Sequence, residues 1–262
     1  MIKLPEKKTL KEIKKYFLQN NLEILIKNSG EEINIKDKRL SKKTYGADLI
    51  DLFRIHRMII LNKRLSVLEY GTGWSSLVIL HALMINEKKY AKEVQNFRVK
   101  KKFGLTIVDN EKKFLKISES RIKSYFKYQN SNTTFCYSEN KMTTFQGRIC
   151  SHFSKHPRVN PDFIYLDGPD QFKIKGRVNN LSIADYEMMP MNADVLSFEN
   201  FLTPGTIILF DGRTANARFF KSNFRRNWKY IEDAKNDQHL FYLNEKPLGA
   251  VSKQQLNFYS KK

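Results

Sequence analysis

The chain has 262 residues and a formal net charge of +20, with 47 Lys and Arg against 27 Asp and Glu. Hydrophobic residues make up 41% and aromatic residues 13%, which excludes a disordered or low-complexity protein. The longest largely apolar run, residues 77–85, is too short to cross a membrane, and the charged first residues are unlike a secretory signal. With two cysteines, Cys136 and Cys150, we expect no disulfide framework and a cytoplasmic location.

The sequence predicts an N-terminal appendage over residues 1–44 and one larger domain over 45–262. Apolar residues at helical spacing predict an amphipathic helix at 5–20. A short apolar run predicts a strand at 22–26. Helical periodicity at 47–61 predicts a second helix that leads into the core.

Strands and helices alternate through the rest of the chain. Strands are predicted at 65–70, 105–108, 133–137, 163–166 and 206–210, helices at 75–85, 111–126, 193–202 and 215–224, and a last antiparallel strand pair at 228–232 and 239–243. This alternation predicts an α/β fold with a mostly parallel sheet and helices on both faces. Three of the strands end in an acid, namely Asp109, Asp167 and Asp211. Because ligands of open α/β sheets bind at the carboxyl ends of the strands, we expect the site there.

The first strand of this region ends in a glycine turn. Glu69 stands two residues before Gly71, and Gly73 completes a Gly-x-Gly pattern that lets the backbone bend tightly and approach a ligand. A fingerprint for NAD requires a third glycine at position 76, where this chain has Ser76. A carboxylate at position 69 is unfavourable near phosphates and suits a ligand that carries an ammonium group.

This turn resembles motif I of the class I S-adenosylmethionine-dependent methyltransferases. The resemblance continues with Asp109 at the end of the second strand, with 161–168 as the fourth strand and with 204–212 as the fifth. It covers about residues 45–245. It implies a Rossmann-like open sheet with a reversed C-terminal strand, and S-adenosylmethionine as the cofactor.

The resemblance also implies which residues bind the cofactor: Glu69, Gly71, Gly73, Trp74, Ser75, Asp109 and Asp167. Asp109 would accept hydrogen bonds from the ribose hydroxyls, but it can also cap the helix that follows, and both functions are compatible. Trp74 either packs on the cofactor or only caps its helix. Gly71 and Gly73 can also be plain turn residues.

Methyl transfer to a hydroxyl requires alignment of the reactants and removal of a proton. As catalytic residues we expect Asp167, Asp211, Arg213 and His156. In the catechol-type enzymes of the family, acids at the ends of these two strands hold Mg²⁺ with an Asn, whose place is taken here by Gly212. The expected Mg²⁺ ligands are therefore Asp167, Asp170 and Asp211.

Other residues near this edge have two interpretations. Arg213 can bind an anionic group of the acceptor or pair with Asp167 or Asp211 to hold the loop. His152 and His156 belong to a stretch that can form a lid with a general base, or they are simply solvated. A loop that contains Met188, Met189 and Met191 lines an acceptor pocket or belongs to the core.

The sequence thus favours a S-adenosylmethionine-dependent methyltransferase that methylates oxygen in a small molecule or sugar with an anionic group. A nucleic-acid methyltransferase or nucleic-acid-binding protein is the first alternative, because the surface is basic. Against it, the fourth strand ends in Asp167-Gly168-Pro169-Asp170 rather than an Asn/Asp-Pro-Pro-aromatic tetrad, and no Pro-Cys pair is present. A non-catalytic Rossmann-like binding module is the second alternative. The oligomeric state and the acceptor are not indicated.

Overall fold

A computed structural model of the chain describes residues 2–29, 45–126 and 132–261. The helices are α1 (Leu10–Gln19), α2 (Glu23–Lys27), α3 (Leu49–Leu61), α4 (Trp74–Tyr90), α5 (Lys112–Phe126), α6 (Asp194–Phe198), α7 (Thr214–Asn223) and α8 (Ala250–Ser260). The strands are β1 (Ser66–Tyr70), β2 (Gly104–Asp109), β3 (Thr133–Tyr137), β4 (Asn140–Phe145), β5 (Arg148–Phe153), β6 (Phe163–Leu166), β7 (Ile207–Asp211), β8 (Trp228–Asp233) and β9 (Gln238–Leu243). Within the described residues, no helix is long and apolar enough to cross a membrane.

Seven strands form one sheet in the order β3-β2-β1-β6-β7-β9-β8. The first five of these pair in parallel, while β9 runs antiparallel to β7 and to β8. β1, which ends in the glycine turn, lies between β2 and β6. The predicted Rossmann-like sheet with a reversed C-terminal strand is confirmed.

Each central strand is buried on both faces because helices cover both sides of the sheet. One core contains Val67, Leu105 and Phe163 and packs against α1, α3, α4 and α8. The second core contains residues of the opposite parity, such as Leu68 and Ile164, and packs against β5, α6 and α7. Every second residue therefore points to the same face, up to the carboxyl edge.

Residues 22–26 do not form the predicted strand. They belong mostly to the short helix α2, because Leu22 and Leu25 are both fully buried and their spacing of three places them on one helical face. α1 contributes Ile13 and Phe17 to the same core as α3. The division at residue 44 lies outside the described residues and stays a prediction.

Three elements, the strands β4 and β5 and the helix α8, were not predicted. β4 and β5 form an antiparallel hairpin whose turn, Gln146-Gly147, has positive φ at both residues. Its half-exposed strands lack the apolar run that identified the central strands. The C-terminal helix α8 was also missed. It buries Phe258 and Tyr259 against the first core.

A buried carboxylate and a buried guanidinium hold the amino edge of the sheet, each through its own hydrogen bonds. Asp162 accepts hydrogen bonds from the backbone amides of Leu65 (2.8 Å) and Ser66 (3.0 Å) and from the hydroxyl of Tyr259 (2.7 Å). Arg64 donates to the carbonyl of Gly205 (2.8 Å), and its guanidinium carbon lies 4.3 Å from the centre of the Tyr259 ring. Burial raises the pKa of Asp162, and Arg64 opposes this shift. β1, β6, β7 and α8 are thereby joined at one edge.

We expect Asp162→Ala to reduce the free energy of unfolding by about 3–5 kcal/mol, because it leaves three buried donors without their acceptor and removes the negative charge near the buried guanidinium of Arg64. Urea denaturation measures the change. The matched control is Glu93→Ala, which removes an exposed ion pair with Lys261 and should cost less than about 1 kcal/mol. Equal losses in the two variants would contradict this account of the amino edge.

Candidate active site

The carboxyl ends of β1 and β6 are in direct backbone contact. Gly71 has φ +92°, and a Cβ added to it would lie 2.7 Å from the nitrogen of Gly168. A Cβ added to Gly168 would lie 2.4 Å from the nitrogen and Cα of Gly71. The amides of Asp167 and Gly168 both donate to the carbonyl of Tyr70, at 2.9 and 2.6 Å. Neither glycine has room for a side chain, so the turn after β1 is fixed against the loop after β6.

Strand register brings four acids to one face of this edge. Glu69 pairs with Ile107 on β2 and with Tyr165 on β6. Two residues further along their strands come Asp109 and Asp167, and Asp211 ends β7 with the same parity. The strand ends thus gather the predicted acids on the side of the sheet that α3 and α4 cover.

Glu69 is fully buried below the glycine turn. Its two oxygens accept hydrogen bonds from the hydroxyls of Ser75 (2.6 Å) and Ser76 (2.7 Å), in the first turn of α4. Burial raises the pKa of Glu69 to about 8; the serines lower it, and the charges of Asp167 and Asp109 raise it further. Ser76, the departure from an NAD fingerprint, is thus a partner of Glu69. In the structure Glu69 positions the turn, and its contact with a ligand stays a prediction.

Asp109 ends β2 and is almost fully buried. It accepts a hydrogen bond from the backbone amide of Glu111 (2.6 Å), the residue directly before α5. The side chain that caps α5 is that of Glu111 rather than Asp109, because Glu111 accepts from the amide of Lys113 (3.2 Å) in the first turn. Burial raises the pKa of Asp109 to about 7, the Glu111 amide opposes this, and the nearby acids Asp170, Glu111 and Asp167 add to it. Its predicted contact with ribose hydroxyls stays a prediction.

The loop from Asp167 to Asp170 is clamped from both sides. On the β2 side, Asn110 donates to the carbonyl of Asp170 (3.0 Å) and accepts from its amide (2.9 Å). On the β7 side, Nη2 of Arg213 donates to the carbonyls of Asp167 (2.6 Å) and Pro169 (2.9 Å). The peptide bond between Gly168 and Pro169 is cis. The loop is therefore held rigidly across the end of β1.

Asp167 is accessible to solvent, although protein surrounds its carboxylate on most sides. Its enclosure raises the pKa of Asp167 to about 7, Arg213 lowers it, and Asp211 raises it. A carboxyl group that titrates near neutral pH can accept a proton under physiological conditions.

Arg213 lies beside Asp167 without a side-chain hydrogen bond to it. Its Nη1 is fully buried and has no hydrogen-bond partner among the described residues. Burial lowers the pKa of the guanidinium, while the charges of Asp167 and Asp170 oppose this shift. Of the two predicted functions, holding the loop is present, through backbone carbonyls rather than carboxylates. Binding of an anionic acceptor group stays a prediction.

Asp51 joins this edge from α3 and was missed in the sequence. Burial raises the pKa of Asp51 to about 8, and the charges of Asp211 and Asp48 add to the shift. The side-chain amide of Gln238 donates to the carboxylate of Asp51 (3.1 Å), and the hydroxyl of Tyr165 donates to the carboxylate of Asp211 (2.8 Å). Acidic residues are common in the first turn of a helix because they interact favourably with the helix dipole. The sequence therefore held no signal that Asp51 belongs to the site.

The predicted Mg²⁺ ligands do not fit a metal site. Within the described ranges, no group of three or more His, Cys, Asp or Glu side chains is arranged to hold a metal ion. The carboxylate of Asp170 caps the short turn that follows, by accepting from the amide of Phe172 (3.0 Å). Gly212 supplies no side-chain ligand, and the guanidinium of Arg213 would repel a divalent cation bound to Asp167.

His156 lies on the other face of the sheet from the four acids. Its Nδ1 is 2.9 Å from the carbonyl of Pro157, so Nδ1 carries the proton and Nε2 accepts from the hydroxyl of Tyr70 at 2.6 Å. Both ring nitrogens are therefore engaged. His152 belongs to β5, in a stretch expected to be irregular, and contacts Asp194 (3.3 Å). Neither histidine is brought to the four acids at the carboxyl edge.

Trp74 opens α4 beside the glycine turn. The guanidinium carbon of Arg121 lies 3.8 Å from the centre of its ring, so one ring face is already covered. Contact of Trp74 with a cofactor stays a prediction.

The loop after β6, which was expected to line an acceptor pocket or to belong to the core, is partly buried and partly exposed. Met191 packs on the second core, whereas Met189 is 62% exposed. Gln171 ties this loop together by donating to the carbonyls of Ile183 and Met188.

No protein-family model matches the sequence, and no curated protein matches it either. Solved structures do resemble the fold. An O-methyltransferase from Bacillus cereus in complex with SAH is 12% identical, over 92% of both chains, with a TM-score of 0.42. The O-methyltransferase TomG from Streptomyces achromogenes, in complex with SAM, is 11% identical over 92% of both chains, with a TM-score of 0.42. The SAH-bound Podospora anserina methyltransferase PaMTH1 is 10% identical over 92% of this chain and 100% of its own, with a TM-score of 0.47. Likeness at this level concerns the path of the backbone and does not extend to what the chain binds.

We expect Gly168→Ala to reduce the free energy of unfolding by about 1–3 kcal/mol or more, because the new methyl group collides with the backbone of Gly71. Gly73→Ala is the matched control. Its added Cβ would meet only the Ser75 hydroxyl, at 3.8 Å, so its stability should change by less than about 1 kcal/mol. Thermal and urea unfolding measure both variants, and equal stability would disprove the close contact.

Glu69 should make the stability of the ligand-free protein depend on pH. Its pKa in the folded state is about 8, against an ordinary value of 4.5, so the folded state binds the proton more tightly. This contribution is fully present below about pH 4.5 and is lost as the pH rises through 8. We expect Glu69→Gln to flatten this dependence and to be more stable than the wild type at pH 9 by about 1 kcal/mol.

Urea denaturation between pH 5 and pH 9 measures the effect. Glu119→Gln, which changes a surface carboxylate paired with Lys123, is the control and should follow the wild-type curve. Parallel curves for the wild type and Glu69→Gln would contradict the raised pKa of Glu69.

Proposed function

We propose that the protein transfers a methyl group from S-adenosylmethionine to an oxygen atom of a small molecule. The observation that carries this proposal is the constellation around Gly71. The backbone contact between Gly71 and Gly168 fixes the turn, and the acids Asp109 and Asp167 lie close enough for their charges to act on Glu69 below it. It is the arrangement that the resemblance of the sequence implies for this cofactor.

The electrostatics of the edge favour a cationic ligand. The chain as a whole carries a net charge of +20, yet this edge collects buried acids whose charges raise one another's pKa. S-adenosylmethionine carries a sulfonium and an ammonium group, which would relieve this repulsion. Asp109 would accept hydrogen bonds from the ribose hydroxyls through Oδ2, the oxygen that does not accept from the amide of Glu111.

Open space at Gly73 also supports this cofactor. A Cβ at this position would meet only the Ser75 hydroxyl within 4 Å, so the outer side of the turn is free for a ligand. Glu69 acts from below by holding Ser75 and Ser76 in place. We therefore assign Gly73 to direct contact with the cofactor and Glu69 to positioning.

The cofactor supplies a methyl group on a positively charged sulfur, which makes the transfer an in-line displacement. The chain has to orient the acceptor and remove its proton. Asp167 is the proposed proton acceptor, because it is exposed to solvent at the carboxyl edge and its pKa is about 7. Arg213 lies beside it and would orient an acceptor with an anionic group. The predicted cytoplasmic location follows only from the use of cysteine and is kept as part of this proposal.

Calorimetric titration with S-adenosylhomocysteine, S-adenosylmethionine and NAD tests the proposal. We expect affinities on the order of micromolar for the first two and none for NAD. Asp109→Ala should weaken binding about tenfold or more, since hydrogen bonds to a charged group are worth about 1.5–3 kcal/mol. Gly73→Ala should weaken it by obstruction. Glu119→Gln, on the outer side of α5, should bind like the wild type. If the wild-type protein binds neither S-adenosylhomocysteine nor S-adenosylmethionine, the proposal is refuted.

A further inference from the structure

A chain of hydrogen bonds joins α1 to α3 and α4. The hydroxyl of Tyr16 on α1 lies 2.6 Å from Nδ1 of His56 on α3, and Nε2 of His56 lies 2.9 Å from Nδ1 of His81 on α4. His81 is also hydrogen-bonded to the backbone of Asn20, the residue that ends α1. Both ends of this histidine chain, which consists of Tyr16, His56, His81 and Asn20, therefore belong to α1.

The backbone of Asn20 sets the direction of the protons in the chain. Its amide already donates within α1, so its carbonyl accepts from His81, and this bond raises the pKa of that ring. Nε2 of His81 is then the donor, and Nδ1 of His81 accepts from Nε2 of His56. Nδ1 of His56 in turn accepts from the hydroxyl of Tyr16. Each ring has one donor and one acceptor, which is the arrangement of two neutral imidazoles.

The surroundings of the two rings oppose their protonation. His56 is fully buried, and His81 stacks on the ring of Phe126 with 6.3 Å between the centres. Burial lowers the pKa of His81 to about 4 and holds the pKa of His56 well below 6.5. The charged side chains that act on the rings, Arg57 on α3 and Lys88 on α4, are both positive and lower these pKa values further.

The acids of the neighbouring elements are engaged elsewhere. Glu6, in the N-terminal segment, pairs with Arg57 at 3.3 Å. Glu12 belongs to the capping box of α1, and Glu23 on α2 acts on Tyr125 near the end of α5. Within the described part of the chain, none of these carboxylates acts on either ring. An imidazolium is therefore stabilised here only by water, which enters when α1 moves away.

We propose that the histidine chain makes the docking of α1 sensitive to pH: α1 is held against α3 and α4 while both rings are neutral, and acid releases it by protonating them. Once α1 has moved away, both rings are hydrated and regain an ordinary pKa of 6.5. Because the released state binds protons more tightly, docking is strongest above pH 6.5 and weakens as the pH falls towards 4. Partly exposed, His81 is the point at which solvent reaches the chain.

Release of α1 would act on the carboxyl edge through the two helices that it contacts. α3 carries Asp51 in its first turn, and α4 begins at Trp74 with the serines that hold Glu69. α1 buries Ile13 and Phe17 in the core that these helices share. A change of pH would thus alter the packing behind the site without touching the acids at the strand ends.

Hydrogen exchange of the full, ligand-free chain, followed by mass spectrometry, tests the proposal, and its outcome does not depend on the proposed function. Exchange of the amides of α1 is measured at pH 5, 6 and 7 and corrected for the intrinsic rate, which gives the equilibrium constant for opening. Two rings that regain a pKa of 6.5 should make this constant about 500-fold larger at pH 5 than at pH 7. The amides of α8, at the amino edge, serve as the reference and should change far less.

Four variants isolate the histidine chain. His81→Gln keeps a side chain that donates and accepts but does not titrate, so the change should fall to about 30-fold, and His56→Gln should have the same effect. Tyr16→Phe removes one hydrogen bond and neither ring, so α1 should open about fivefold more readily at every pH with the same pH dependence. His152→Gln on β5, at the opposite face of the sheet, is the matched control and should behave like the wild type.

The thermal midpoint of each variant is measured at pH 7 to show that it is folded. If His56→Gln does not fold, His81→Gln and Tyr16→Phe decide the matter. A loss of pH dependence confined to the histidine variants supports the proposal. An opening constant of α1 that is the same at pH 5 and pH 7, an unchanged 500-fold effect in His81→Gln, or an equal increase in α8 would overturn it.

Discussion

The close approach of Gly71 and Gly168 is the constraint on which the rest of the site depends. At this distance no side chain fits at either position, and both amides of the β6 loop reach the carbonyl of Tyr70. The contact brings the glycine turn of β1 and the loop that carries Asp167 to a single point. Two clamps, Asn110 from β2 and Arg213 from β7, keep that loop in place. The carboxyl edge is thus held together by backbone contacts, and the side chains of the acids at the strand ends supply its chemistry.

The second property of this edge is the electrostatic repulsion between its carboxylates. Parallel strands of equal parity place Glu69, Asp109 and Asp167 on one face, where burial and mutual repulsion raise all three pKa values to about 7 or 8. A protein tolerates such a cluster only at a cost in stability, and such costs are typical of functional sites. The cationic cofactor that we propose would reduce the cost. Arg213 contributes the one positive charge among the groups that act on Asp167.

Much of the fold could be predicted because its signals are local. The buried strands β1, β2, β6 and β7 are continuous apolar runs, and the acids that end them follow directly in the chain. α2 was predicted wrongly as a strand, since a five-residue apolar run has no period long enough to distinguish the two. The hairpin of β4 and β5 was missed for a related reason. Its stability comes from pairing and from a turn at positive φ rather than from an apolar pattern.

The sequence by itself determined the central strands with the helices between them, the glycine turn and the acids that stand at the ends of those strands. It did so because strand burial, turn formation and strand ends depend on neighbouring residues. Only the tertiary structure decided which side chains contact one another. Ser75 and Ser76 hold Glu69, Asp51 arrives from a helix far away in the chain, and His156 turns to Tyr70 on the opposite face. These outcomes depend on distances between segments that are remote in sequence, and no local pattern encodes such distances.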